Sequence, residues 1–319
     1  MKILVTGANG FVGLPLSQYL TAAGHQVVGA VRSHDSLSVV NSKICLKVIG
    51  DISEITDWQD CLGGVEHVIH LANRAHVMDE QSSNPLALYR KVNTEGTLNL
   101  ARQAAAAGVK RFIFISSIKA NGEWSIAGQA LTSNNQHVPV DPYGLSKYEA
   151  ELGLKLIAEH TGLEVVVIRP PLIYGPGVKA NFLKMMQWVE KGIPLPLGDI
   201  QNQRSMLGLD NLIDFIELCL THANAPGQTF LVSDDYDVST TELLKEISSA
   251  MNRPSRLLSI PQSFIEKSLI LLGQRHICDR LCGSLQLDIS LTKRLLSWKP
   301  PHTFKNQLSK TALDYLSSR

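Results

Sequence analysis

A chain of 319 residues with 44% hydrophobic content is long enough to bury one large core and a smaller one. Its 30 basic and 29 acidic residues leave a formal net charge of +1. That balance excludes electrostatic capture of nucleic acid or of a membrane surface as the main task and directs attention to small-molecule chemistry.

From the N-terminus, MKILVTGANG runs straight into a glycine turn, leaving no room for a charged region, an apolar region and a cleavage site, so a cytoplasmic protein is expected. Lys2–Thr6, Gln26–Val31, Leu46–Gly50, Glu66–Leu71, Arg111–Ser116 and Glu164–Arg169 read as strands. Their near-continuous apolar character predicts a parallel sheet buried on both faces. Helices are predicted at Val12–Ala23, Pro85–Ala107 and Tyr143–His160, the last opened by Asp141-Pro142, a capping residue followed by proline in the first turn. The fold class is therefore α/β, a Rossmann-like doubly wound parallel sheet. After Arg169 the chain passes through PPLIYGPG and KGIPLPLGD to a helix near Asn211–His222, a short strand Thr229–Val232 and a helix from Lys305 to Ser318. Residues 1–168, rejoined by 203–233, are expected to form the dinucleotide-binding domain; residues 169–202 and 234–319 are expected to form a smaller C-terminal substrate lobe. Leu257–Gly273 is apolar, but Pro261, Gln262, Glu266 and Lys267 interrupt it, so no membrane span is expected. The five cysteines are scattered and odd in number, which fits a reducing compartment; Cys278 and Cys282 lack nearby His or Cys partners, and no metal site is predicted.

The first strand is followed at once by Gly7-Ala8-Asn9-Gly10-Phe11-Val12-Gly13 and then a helix, the context that gives a glycine fingerprint meaning. Gly7 and Gly10 permit a tight turn and close approach to a pyrophosphate, and Gly13 lets the helix pack on the strand. The loop, including Asn9, Phe11 and Val12, is predicted to cradle the anion at the helix N-terminus. Val31 stands where an NAD-selective acid is expected, and Arg32 beside it can pair with a 2′-phosphate. NADP(H) is favoured, with NAD(H) left open because Asp35 could serve as the acid. Asp51 and Ile52 are placed by position beside the adenine.

Tyr143 and Lys147, four apart at a helix start, project from one face into one cleft. A phenol with a pKa near ~10 needs neighbouring positive charge to act as acid and base at neutral pH, and the Lys147 ammonium together with the nicotinamide cation would supply it. Ser117, at the end of the fifth strand, is placed to bond the same substrate oxygen.

The segments TGANGFVG, GDI, HLAN, VNTEGTLNLA, FISSIKANG, DPYGLSK, RPPLIYGPG and RSMLGLDN together resemble the extended short-chain dehydrogenases, which include UDP-sugar 4-epimerases, sugar dehydratases and 4-keto-sugar reductases. The resemblance implies that Leu71, Ala72, Asn93 and Pro170 line the cofactor side, that Lys147 binds the nicotinamide ribose, and that Asn181 and Arg204 hold the diphosphate of a UDP-sugar. Arg280 is a further candidate of the same kind. Dehydratases of the family carry an Asp-Glu pair where this chain has Ile118 and Lys119, so dehydration is excluded. Ala120-Asn121-Gly122 replaces the Val-Tyr-Gly common in epimerases, and Leu172 replaces an asparagine near the diphosphate. With Arg32, these features favour NADPH-dependent reduction of a UDP-4-keto-6-deoxy-hexosamine in bacterial surface polysaccharide synthesis. The alternatives are a UDP-glucose or UDP-N-acetylglucosamine 4-epimerase with tightly bound NAD, and a non-catalytic dinucleotide-sensing regulator. The expected mark of the regulator, a lost Tyr or Lys, is absent. Pairing of helices 85–107 and 143–160 across a two-fold axis would give a homodimer.

Overall fold

A computed structural model describes residues 1–33, 43–74, 84–126, 128–134 and 137–318. The first half alternates strand and helix: β1 (Lys2–Thr6), α1 (Gly13–Ala22), β2 (Gln26–Val31), β3 (Cys45–Val48), α2 (Gln59–Leu62), β4 (His67–His70), α3 (Pro85–Tyr89), α4 (Thr97–Ala106), β5 (Arg111–Ile115), α5 (Pro142–Thr161) and β6 (Glu164–Arg169). The strands form a seven-stranded parallel sheet in the order β3-β2-β1-β4-β5-β6-β9, where β9 (Thr229–Leu231) returns from the second half to pair with β6. Alternate residues of each strand enter opposite cores. Ile3, Val5, Ile69, Ile113, Ile115, Val166 and Ile168 face α1 and α7 (Leu209–Thr221). Leu4, Val68, Phe112, Phe114, Val165 and Val167 face α4 and α5. Burial on both faces is why these strands read as unbroken apolar runs.

Two predicted elements differ in detail. The third strand ends at Val48 rather than Gly50, because Gly50 has φ +69° and turns the chain out of the sheet. The helix predicted over 85–107 is broken by a π-helical stretch, Arg90–Gly96, between α3 and α4. The wider turn buries Asn93, Thr94 and Gly96 together, and a Cβ on Gly96 would lie 2.5 Å from Ile52 Cγ2.

The second half adds β7 (Leu172–Tyr174), α6 (Ala180–Glu190), β8 (Arg204–Gly208), β10 (Asp237–Val238), α8 (Thr240–Ala250), α9 (Gln262–Leu271), α10 (Arg275–Cys282), α11 (Ser290–Leu296) and α12 (Phe304–Ser317). β7, β8 and β10 make a separate three-stranded sheet, parallel between β7 and β8 and antiparallel between β8 and β10. A third core fills this lobe, with Tyr174, Phe182, Met186, Leu244 and Ile247 packed against Phe304, Leu308 and Tyr315 of α12. Asp234 ties the lobe to α7: it accepts from Tyr174 Oη at 2.6 Å, Gly208 N at 2.8 Å and Asn211 Nδ2 at 2.7 Å. No helix among the described residues is long and apolar enough to cross a membrane.

Candidate active site

In this sheet order the strands diverge at β1 and β4, the switch point where a crevice opens beyond the strand ends. Gly7 leaves β1 with φ +67°, and its N–H donates to the Ala30 carbonyl at 2.9 Å. A Cβ on Gly13 would stand 2.0 Å from the Gly7 carbonyl oxygen, and one on Gly7 would stand 3.2 Å from the backbone of Ala72. Gly13 is thus required where the first residue of α1 closes on the end of β1. Gly10 is less constrained by protein, its nearest neighbour being the Gly7 carbonyl at 3.1 Å. Gly10 carries the hydrogen bonds that shape the loop, donating to Gly7 O at 2.9 Å and accepting from Leu14 N at 3.0 Å. Asn9 is exposed, and Phe11 and Val12 pack on the core. α1 carries no acidic residue in its first turn. The glycine-rich loop, headed by a helix N-terminus, fits the pyrophosphate of a dinucleotide.

At the other end of that crevice Val31 is buried, and Arg32 Nε pairs with Asp51 Oδ1 at 2.6 Å. The two residues expected to meet different parts of the cofactor thus lie side by side, in an ion pair open to solvent. Ile52 is buried against Gly96, and Asp35 lies outside the described residues.

Asp141 caps α5 by accepting from Gly144 N at 2.8 Å, with Pro142 opening the helix as expected. A Cβ on Gly144 would be 2.5 Å from the Lys119 carbonyl, so the helix start lies directly on the turn after β5. This brings Tyr143 onto Ser117. Ser117 Oγ accepts from Lys119 N at 3.2 Å and is hydrogen-bonded to the Tyr143 phenol. The Tyr143 ring also meets Tyr89 edge-on at 5.8 Å. Lys147 is fully buried, its Nζ donating to the Ile115 carbonyl at 2.9 Å and lying 4.5 Å from the Phe114 ring centre. Burial pushes Lys147 down to about 7, with Glu151 opposing. The expected lowering of Tyr143 joins Lys147 to a bound nicotinamide cation; in the protein alone Lys147 is not among the influences on the phenol. Burial pushes the phenol up to about 12, and the Ser117 hydrogen bond is the influence acting in the other direction.

Behind the pair stands a network that the sequence did not announce, although Glu151 lies one turn beyond Lys147 on the same face. Arg169 clasps Glu151 through Nε at 2.9 and 3.1 Å and through Nη2, and Ser116 Oγ donates to the same carboxylate. Arg169 Nη1 donates to Asn121 Oδ1 at 2.6 Å, and Asn121 Nδ2 to the Thr132 carbonyl at 2.7 Å. The Pro170 carbonyl accepts from Ile118 N at 2.9 Å, joining the ends of β5 and β6. Asn93 is fully buried, and its amide bonds Arg74 N at 2.8 Å, the Arg74 carbonyl at 3.2 Å and Ser146 Oγ at 3.1 Å. It braces the segment after β4 from behind.

On the lobe side, Asn181 is half-buried in the first turn of α6, and Leu172 is partly exposed on β7. Arg204 donates to the carbonyls of Gly283 at 2.8 Å and Arg280 at 3.4 Å, and burial lowers its pKa. Arg280 meets Arg204 through its backbone; its side chain is exposed. A desolvated guanidinium resting on carbonyls is suited to gain an anionic partner.

Three substitutions test this geometry. Gly13→Ala should abolish NAD binding and destabilise the fold by more than ~1 kcal/mol; a wild-type titration curve would contradict the turn described. Tyr143→Phe should lower turnover at least ~100-fold while NAD affinity stays within ~3-fold, and retained turnover would remove Tyr143 from the chemistry. Lys147→Met should abolish turnover yet raise the melting temperature of cofactor-free protein. Because the folded pKa of Lys147 lies below its unfolded value, its burial penalty is complete below about 7 and fades as pH rises toward 10.5. The gain should be ~3 °C or more at pH ~6 and shrink at high pH; no gain at low pH would refute the burial penalty.

The model of the NAD dependent epimerase/dehydratase family matches residues 3–233. A UDP-glucose 4-epimerase of Vibrio cholerae is 47% identical over 318 residues, covering 99% of this chain and 96% of its own. An Escherichia coli O157:H7 enzyme named N-acetyl-alpha-D-glucosaminyl-diphospho-ditrans,octacis-undecaprenol 4-epimerase is 27% identical over 263 residues, 82% of this chain and 75% of its own. Among solved structures, UDP-glucose 4-epimerase of Thermotoga maritima with UDP-glucose superposes with a TM-score of 0.80 at 22% identity, covering 100% of this chain and 99% of its own. UDP-glucuronic acid 4-epimerase of Bacillus cereus with NAD gives 0.79 at 22% identity over 100% and 99%. These structures share the fold. The chain is an enzyme of the NAD-dependent epimerase/dehydratase family, one of the extended short-chain dehydrogenases.

Proposed function

We propose that the protein is a 4-epimerase of UDP-glucose or UDP-N-acetylglucosamine that works with a retained NAD. The observation that carries this reading is 47% identity along nearly the whole length of a UDP-glucose 4-epimerase, combined with an intact Ser117, Tyr143 and Lys147. Two features that favoured an NADPH-dependent reductase have other work. Asn121 bonds Arg169 and Thr132 behind the site, and Arg32 pairs with Asp51 at the surface.

When bound, NAD supplies a reversible hydride acceptor for the sugar C4 and a positive ring that favours ionised Tyr143. Tyr143 Oη takes the proton of the C4 hydroxyl and returns it, while Ser117 holds the same oxygen. Lys147, fixed by the Ile115 carbonyl, orients the ribose and supports Tyr143. Inversion at C4 requires the 4-keto sugar to present its other face before reduction, so the diphosphate must stay anchored as the ring turns. Arg204 and Asn181 serve as that anchor. With Ile118 and Lys119 after Ser117, the site lacks the acid pair that would divert the ketone to loss of water.

The test is proton NMR of UDP-glucose or UDP-N-acetylglucosamine incubated with the purified protein and no added reductant. Interconversion with the C4 epimer is expected. Absence of epimers together with NADPH oxidation on a UDP-2-acetamido-4-keto-6-deoxy-hexose would replace this reading with the reductase.

A further inference from the structure

At the switch point the register sets Thr6, the last residue of β1, beside His70, the last residue of β4. Both side chains are fully buried, and the His70 ring stacks on Phe114, the ring over which Lys147 lies, with centres 5.9 Å apart. Each ring nitrogen has one hydroxyl partner: Thr6 Oγ1 is 2.7 Å from Nδ1, and Thr97 Oγ1 is 2.9 Å from Nε2. The partners settle the direction of every bond. Thr6 Oγ1 already accepts from Leu71 N and Ala72 N, each at 3.1 Å, so its one proton goes to Nδ1. Nδ1 is then an acceptor, the ring proton sits on Nε2, and Nε2 donates to Thr97. Thr97 passes its own proton to the Asn93 carbonyl at 2.7 Å. Burial, with Lys147 adding to it, pushes His70 down to about 3 and keeps the ring neutral.

Both ends of this one-way chain reach walls of the cofactor crevice. At one end the anchored amides belong to Leu71 and Ala72, and the Ala72 backbone is the surface that comes closest to Gly7. At the other, Asn93 braces Arg74 and Ser146, and Ser146 Oγ donates to the Tyr143 carbonyl at 2.8 Å. We propose that His70, as its neutral Nε2–H tautomer between Thr6 and Thr97, is a positioning residue that sets the gap between the glycine turn and the Leu71–Ala72 wall and ties that gap to the catalytic helix. The inference deepens the proposed function and rests on its dinucleotide site.

His70→Phe keeps the stacked ring and removes both hydrogen bonds. It should weaken NAD binding ~10-fold or more, the scale expected when buried hydroxyls lose their partner, with UDP affinity held within ~2-fold. Thr97→Val, which touches no wall directly, should weaken NAD binding in the same direction. The double variant should be no more than ~2-fold worse than His70→Phe, because both cut one chain. Nitrogen-15 NMR of histidine-labelled wild-type protein should show His70 protonated on Nε2 and bare on Nδ1, a readout that needs no variant to fold. A proton on Nδ1, or a folded His70→Phe protein that binds NAD as wild type does, would overturn the inference. Loss of UDP binding by wild type with these NAD effects intact would count against the UDP-sugar reading alone. Wild type that binds no NAD would overturn the dinucleotide site and this inference with it.

Discussion

The 2.0 Å that a Cβ on Gly13 would leave to the Gly7 carbonyl fixes how tightly β1 can turn into α1. From that turn follow the exposed loop tip at Asn9 and Gly10, the closeness of Gly7 to Ala72, and the placement of the crevice over the ends of β1 and β4. The remainder of the sheet serves this point. β5 and β6 deliver Ser116, Ser117 and Arg169 to the same edge, and α5 is seated on the turn after β5 because Gly144 has no side chain to hold it away. A parallel sheet places every strand end with the same polarity on one rim, which lets residues far apart in the chain converge there.

The same convergence is electrostatically costly. Lys147 and Tyr143 are both pushed toward their neutral forms by burial, and Glu151 and Arg169 are buried as an ion pair one helical turn deeper. Breaking such a pair by removing one partner typically costs about 3–5 kcal/mol. Glu151 is satisfied by Arg169 and Ser116, so Lys147 rests on the Ile115 carbonyl and the Phe114 ring. Lys147 is thus contacted by neutral groups, and Glu151 acts on it through charge alone. Arg204, desolvated over two carbonyls, stands in a comparable position on the lobe side.

Much of this was legible from residue order alone. Apolar runs gave the strands, Gly7 to Gly13 the turn, Asp141-Pro142 the helix cap, and the order of Ser117 and Tyr143 their meeting. What escaped was whatever depends on two distant segments finding each other. Nothing local in Arg32 or Asp51 reveals that they pair across two strand ends, in an ion pair open to solvent. The π-helical stretch at Arg90–Gly96 follows from inward packing against Ile52, not from helix propensity. Burial, which pushes the Tyr143 phenol up in the protein alone, is not readable from its spacing to Lys147. Ala120-Asn121-Gly122 suggested a reductase, whereas Asn121 points to Arg169 in the scaffold beneath.

Epimerase and reductase differ most simply in what they do with the dinucleotide. A redox-neutral epimerase regenerates its oxidised cofactor in every cycle and gains by never releasing it; a reductase must exchange it. The decisive measurement is therefore to denature freshly purified protein, without added nucleotide, and identify by mass spectrometry what is released. NAD approaching one molecule per chain is predicted, and an empty site or NADP would contradict the epimerase.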